Sequence, residues 1–201
     1  MTDNSKKFRI WESAALLAIC LSLCIGTWAQ SRQQSISGKL IRLHVIAVSD
    51  EEAEQEIKLR VRDAVLEYLS PVLEDASGQA DAKSIIYAHL EGIAKAAETA
   101  SQGRKVTVSL GRETYPTRDY EGFSLPAGEY ESLRVVLGQG QGKNWWCVVF
   151  PPVCLTAADA QLMQSVMSTP DYSIVSGSED YELRFRLLEL WGEFTNALDR
   201  K

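Results

Sequence analysis

Residues 138–154, read as G-Q-G-Q-G-K-N-W-W-C-V-V-F-P-P-V-C, constrain this chain more than any other part of it. A glycine-rich turn leads into adjacent tryptophans, a cysteine, a β-prone run, two prolines and a second cysteine. Glycine frees the backbone, proline fixes it, and each tryptophan carries a large surface that a fold must place. Asn144, Trp145 and Trp146 therefore point to a specific packed site. Strand alternation sends the two tryptophans to opposite sheet faces, so either can belong to the core or to a contact surface. Cys147 and Cys154 are close enough in sequence to bridge. Three roles are open to the pair: a staple, a metal clip or a reactive centre.

The N-terminus sets the compartment. Lys6, Lys7 and Arg9 form a basic flank, residues 14–25 are apolar apart from Ser22, and Thr27-Trp28-Ala29 places small residues three and one positions before a cut. That is the layout of a secretory signal peptide. An apolar run of this length rises only about 18 Å against a hydrocarbon core of roughly 30 Å, so cleavage after Ala29 is expected over an uncleaved anchor. Cys20 and Cys24 follow Ile19 and Leu23, where a lipoprotein signal has a small residue. Removing residues 1–29 takes away three positive and two negative charges, moving the net charge from −6 to −7. An acidic chain argues against nucleic-acid binding and against capture by anionic lipid. Membrane contact is expected only through the N-terminal segment. With Cys147 and Cys154 outside the cytoplasm, a disulfide between them is the first expectation.

Residues 30–37 are polar and read as a tether to one domain spanning 38–201. Residues 39–47 alternate as a strand, with Ile41, Leu43, Val45 and Ala47 on one face. Ser49 and Glu52 have the spacing of a capping box before a helix carrying Ile57, Val61, Val65 and Leu69 inward, frayed by Pro71. A second helix is expected over 80–101, then a strand at 106–110, a loop over 111–128, and a hairpin of strands at 130–137 and 144–150. Helices at 156–167 and 179–198 follow, the second with a wide apolar arc suited to a core or a partner. The fold class is α+β, or α/β: a small mixed sheet packed with about four helices.

The chemistry-bearing residues form no convincing catalytic set. A nucleophilic Cys147 or Cys154 needs a base, and the histidines on offer are His44, mid-strand, and His89, inside a helix. Zinc ligands usually come in close pairs, whereas these histidines are far apart, so no metal is expected. The glycine turn joins two strands instead of opening a helix, which removes a phosphate loop. No cofactor is expected. An exported thiol enzyme or a cell-wall binding module remains the alternative class.

Taken in order, L-I-R-L-H-V-I-A-V-S-D, K-L-R-V-R-D-A-V, Y-P-T-R-D-Y, L-P-A-G-E-Y and N-W-W-C-V-V-F-P-P-V-C closely resemble the stage II sporulation protein R family. The chain departs from that pattern at Val48, where the family usually has Asn, and at Tyr115, where it has Phe. The resemblance implies a protein made in the forespore and exported into the space between forespore and mother cell. There it would activate the membrane-embedded aspartic peptidase that processes the sigma-E precursor, so the partner and not this chain would be the enzyme. Receptor-contact candidates are Tyr115, Arg118, Tyr120, Tyr130, Asn144, Trp145 and Trp146, where aromatic and loop residues concentrate as interface anchors do.

Overall fold

The computed structural model describes residues 2–120, 123–152, 163–164 and 167–176. The elements run α1 (Thr2–Ser37), β1 (Ile41–Ile46), α2 (Glu52–Leu73), α3 (Gln79–Ala88), α4 (Leu90–Ala100), β2 (Val106–Tyr115), β3 (Arg118–Tyr120), β4 (Phe123–Leu125), β5 (Gly128–Leu137), β6 (Asn144–Phe150) and α5 (Thr169–Val175). Four strands form a mixed sheet in the order β2-β5-β1-β6, in which only β1 and β5 are parallel. The fold is α+β, as expected. Strand period two then builds two cores. Ile41, Leu43, Val45, Leu133, Val135 and Cys147 point to one face and pack under Ile57, Val61, Leu69, Ile86 and Ile93 of α2, α3 and α4. The other face carries Tyr115, Tyr130 and Val148 against Ile36 of α1, Phe123 and Leu125 of the β3–β4 hairpin, and Val175 of α5.

Several expectations change, each for a local reason. The N-terminal apolar helix fits a signal segment, but residues 30–37 continue it as helix instead of forming a tether, and Ile36 is buried. Helix α2 starts at Glu52 with Glu51 at its cap and no side-chain capping bond; Ser49 instead accepts the Glu51 N–H. The expected 80–101 helix breaks at His89, whose ring lies 2.9 Å from the Tyr68 hydroxyl of α2. Just beyond, Gly92 packs so close to Tyr68 that any side chain would collide with that hydroxyl, so α4 settles on α2 at a glycine. The expected 111–128 loop is largely paired. β2 runs on to Tyr115 along β5, Pro116 ends it, and a short hairpin follows. Pro170 lies in the first turn of α5, after Ser168. The expected helix at 156–167 lies largely outside the described residues, and that at 179–198 wholly so.

The 138–142 turn is braced to the end of β1. Gly142 donates its N–H to the Ala47 carbonyl, and a Cβ there would run into the Ser49 carbonyl. Lys143 donates its N–H to Asp50 at 2.7 Å, while the buried Lys58 ammonium bonds Gln55 and the Lys143 carbonyl. Burial, with Lys143 and Arg62 nearby, lowers the Lys58 pKa. Asn144 and Trp146 thus leave the turn from a fixed point.

Candidate functional site

Register places the polar centre of the second sheet face. His44 of β1 lies opposite Trp146 of β6 on one side and Arg134 of β5 on the other. β2 brings Glu113 and Tyr115 to the same face. The His44 Nδ1 lies 3.2 Å from a Glu113 carboxylate oxygen, and its Nε2 lies 3.0 Å from the Asn144 side-chain oxygen. Ser132 donates to Glu113 at 2.6 Å and shares a 2.7 Å bond with the Tyr115 hydroxyl. Arg134 pairs with the same carboxylate at 3.4 Å. Burial opposes the charge on Glu113, but the hydrogen bonds from His44 and Ser132, with the charges of His44 and Arg134, outweigh it and hold its pKa below the ordinary range.

Trp146 is the aromatic wall of this cluster. Its ring lies 5.5 Å from that of His44 and edge-on to Tyr115 at 6.4 Å. The Arg118 guanidinium sits 3.8 Å over it, a cation–π contact. The half-buried Trp146, exposed Asn144, and partly exposed Arg118, Glu113 and Arg134 make one mixed polar and aromatic patch. Beneath it, Arg42 is fully buried, 4.0 Å from the Tyr115 ring centre, 5.0 Å from Tyr130 and 5.8 Å from Tyr120, whose hydroxyl accepts one of its N–H groups. Its Nε and Nη1 have no hydrogen-bond partner among the described residues. Burial pushes all three phenols upward in pKa, so they stay neutral.

The receptor-contact candidates divide by depth and by face. Tyr115 and Tyr130 are buried at 2% and 1% exposure and shape the patch from below. Tyr120 is half-buried, stacked on Phe123 at 4.9 Å. Arg118, Asn144 and Trp146 reach the surface of the patch. Trp145 points to the opposite face, under the Arg62 guanidinium at 4.4 Å. Reasoning from the sequence missed Arg42, Glu113 and Ser132. Arg42 stands at the alternation position in β1 that shares its face with His44, which was the only signal for it.

The serine and the cysteine nearest this cluster are both buried. Ser132 is 1% exposed and its hydroxyl is directed at Glu113, away from any approaching substrate. Cys147 lies opposite Leu43 and so faces the helices, whereas His44 faces the other way. That histidine cannot serve that sulfur as a base. Cys147 is buried, and Cys154 falls outside the described residues. Among the described residues, no three His, Cys, Asp or Glu side chains gather as metal ligands.

Residues 37–160 match the model of the family described as stage II sporulation protein R. Stage II sporulation protein R of Bacillus subtilis (strain 168) is 37% identical over 123 residues, which cover 59% of this chain. The match spans 55% of that relative, so the chain corresponds to about half of its length. No solved structure matches the chain.

Proposed function

We propose, proceeding from the fact that the chain belongs to the stage II sporulation protein R family, that it is an exported sporulation signal. In this reading it crosses from the forespore into the intermembrane space and activates the membrane-embedded aspartic peptidase that processes the sigma-E precursor. It does so as a ligand, by binding the active arrangement of the peptidase more tightly than the inactive one. The observation that carries the reading is the Trp146 patch. A half-buried tryptophan is held against Arg118 and His44 on a rigid sheet, beside the exposed Asn144, without an accessible nucleophile in the cluster. Tryptophan and arginine are the residues in which interface energy concentrates.

The test is a set of surface variants in a sporulating strain that lacks its own copy. Arg118→Glu combined with Asn144→Ala leaves the buried residues intact, so the protein should be exported in normal amount. Precursor processing should fall about tenfold or more, the loss of roughly one anchor contact. Full processing by the folded, exported double variant would remove the patch from the receptor interface. Under the thiol-enzyme alternative, activity would instead follow Cys147 and be blocked by alkylating a free thiol.

A further inference from the structure

Helix α1 meets the folded domain in a way that a discarded leader does not require. Residues 13–31 carry no charge, and at 1.5 Å per residue they rise about 28 Å, close to the roughly 30 Å of a bilayer core. Arg9 and Glu12 bound the stretch on one side and Arg32 on the other. Trp11 and Trp28 stand near its two ends, where interfacial tryptophans belong. Its apolar side chains are bare all round: Leu16, Leu17, Ile19, Leu23 and Ile25 are each 57% or more exposed. Among the described residues the stretch 16–25 is exposed on every side, and a helix of this hydropathy needs an apolar solvent.

The domain begins where that stretch ends. Ala29 is 5% exposed and Ile36 is 1% exposed, both packed in. Gln33 donates to the Glu129 carbonyl at the start of β5. Asp171 of α5, itself 1% exposed, accepts from Ser35 at 2.8 Å and Lys39 at 3.0 Å and pairs with Arg32 at 3.5 Å. The helix therefore continues without a break from the apolar stretch into the core. The residues flanking Ala29, which a signal peptidase would have to hold extended, are helical, and Ala29 itself is buried.

We propose that α1 is a retained anchor: residues 13–31 span a lipid bilayer with the basic N-terminal flank inside, and the domain is clamped to the outer end through Asp171. The positive flank, Lys6, Lys7 and Arg9, fits the inner side by the usual charge asymmetry. The clamp fixes which part of the domain meets the membrane. The start of β1, the start of β5 and the end of β2 gather at the α1 junction, and the 138–142 turn lies at the other end of the sheet.

The full chain, produced with a C-terminal tag in a bacterium, tests this directly. Membranes are washed with alkaline carbonate, and the tagged protein is mapped at its N-terminus by mass spectrometry. A Met1-containing peptide from protein that stays in the pellet is the expected result, with the tag open to protease added outside. A soluble chain beginning near Gln30 overturns the proposal. A second form starting at Gln30 behind an unrelated cleavable signal should be released in soluble form. If it too stays in the carbonate-washed pellet, α1 is not the anchor. Fractionation reads the anchor without reference to signalling, so it stands or falls separately from the peptidase reading.

Discussion

Arg42 places a guanidinium in the interior with no carboxylate partner among the described residues. Three tyrosine rings and one hydroxyl surround it, while Nε and Nη1 remain unbonded. Each orphaned donor costs about 1–3 kcal/mol, and desolvated cation–π contacts return about 2 kcal/mol. The two nearly offset each other, so the charge contributes little net stability. Arg42→Met, similar in length and free of polar atoms, should change unfolding free energy by less than about 1 kcal/mol. Arg42→Ala, which empties the cage, should cost about 2–4 kcal/mol. Urea titration of both variants checks the pair; a large loss for methionine would mean that the tyrosine cage depends on the charge. At the neighbouring carboxylate, the depressed Glu113 pKa contributes stability above the ordinary carboxylate range and loses it as pH falls through the folded value. Glu113→Gln should therefore flatten part of the acid limb of a stability–pH curve while leaving its alkaline side parallel to the parent.

The clamp between α1 and α5 works at the scale of elements. Burial alone would raise the Asp171 pKa, but hydrogen bonds from Ser168, Ser35 and Lys39, with the Lys39 charge, bring it down to about 2. Against the ordinary value of 3.8 that shift is worth about 2 kcal/mol, less some screening because Lys39 is partly exposed. The stabilisation is complete above about pH 4 and is lost as pH falls towards 2. Asp171→Asn should lower stability by about 2 kcal/mol at pH 7, and the difference from the parent should vanish near pH 2. Hydrogen exchange of the 30–37 backbone is the local readout, and it should speed up in the variant.

Elements with strong periodicity were legible in the sequence: β1, α2 and the strands β5 and β6 follow from apolar spacing and glycine. The hairpin expected of β5 and β6 does not form, because β1 inserts between them, parallel to β5 and antiparallel to β6. What escaped depends on partners distant in sequence. The extension of β2 past Gly111 exists because β5 pairs with it, and no local pattern in R-E-T-Y announces that ladder. The break at His89 comes from Tyr68, twenty-one residues earlier. Trp146 was visible as a contact candidate, but the carboxylate and serine that organise His44 beside it were not, because their meeting is a property of register. Residues 30–37 looked like a tether since their polar groups are in the sequence while Asp171, which binds them, is far along the chain.

For the molecule as a whole, oxidation state and reach both follow from how the sheet is closed. The expected Cys147–Cys154 bridge would tie the buried end of β6 to the segment after the prolines. Its reduction should cost about 2–3 kcal/mol and leave the fold in place, since both cores are built independently of it. Peptide mapping of the exported protein before and after reduction, with alkylation, checks the bridge; label on both Cys147 and Cys154 in unreduced protein would exclude it, whereas label on Cys20 and Cys24 of a retained α1 says nothing about it.

The docking of α1 at the start of β5 also sets a length. β5 has ten residues, so the turn beyond it stands up to about 33 Å from the point where the helix enters the domain. A chain held in one bilayer by α1 would then be a short, stiff stalk, unable to wander across a wide gap. Its patch would meet a receptor in a facing membrane only where the two bilayers draw within that span. The signal would report that two membranes have come close together as much as that the protein has been made.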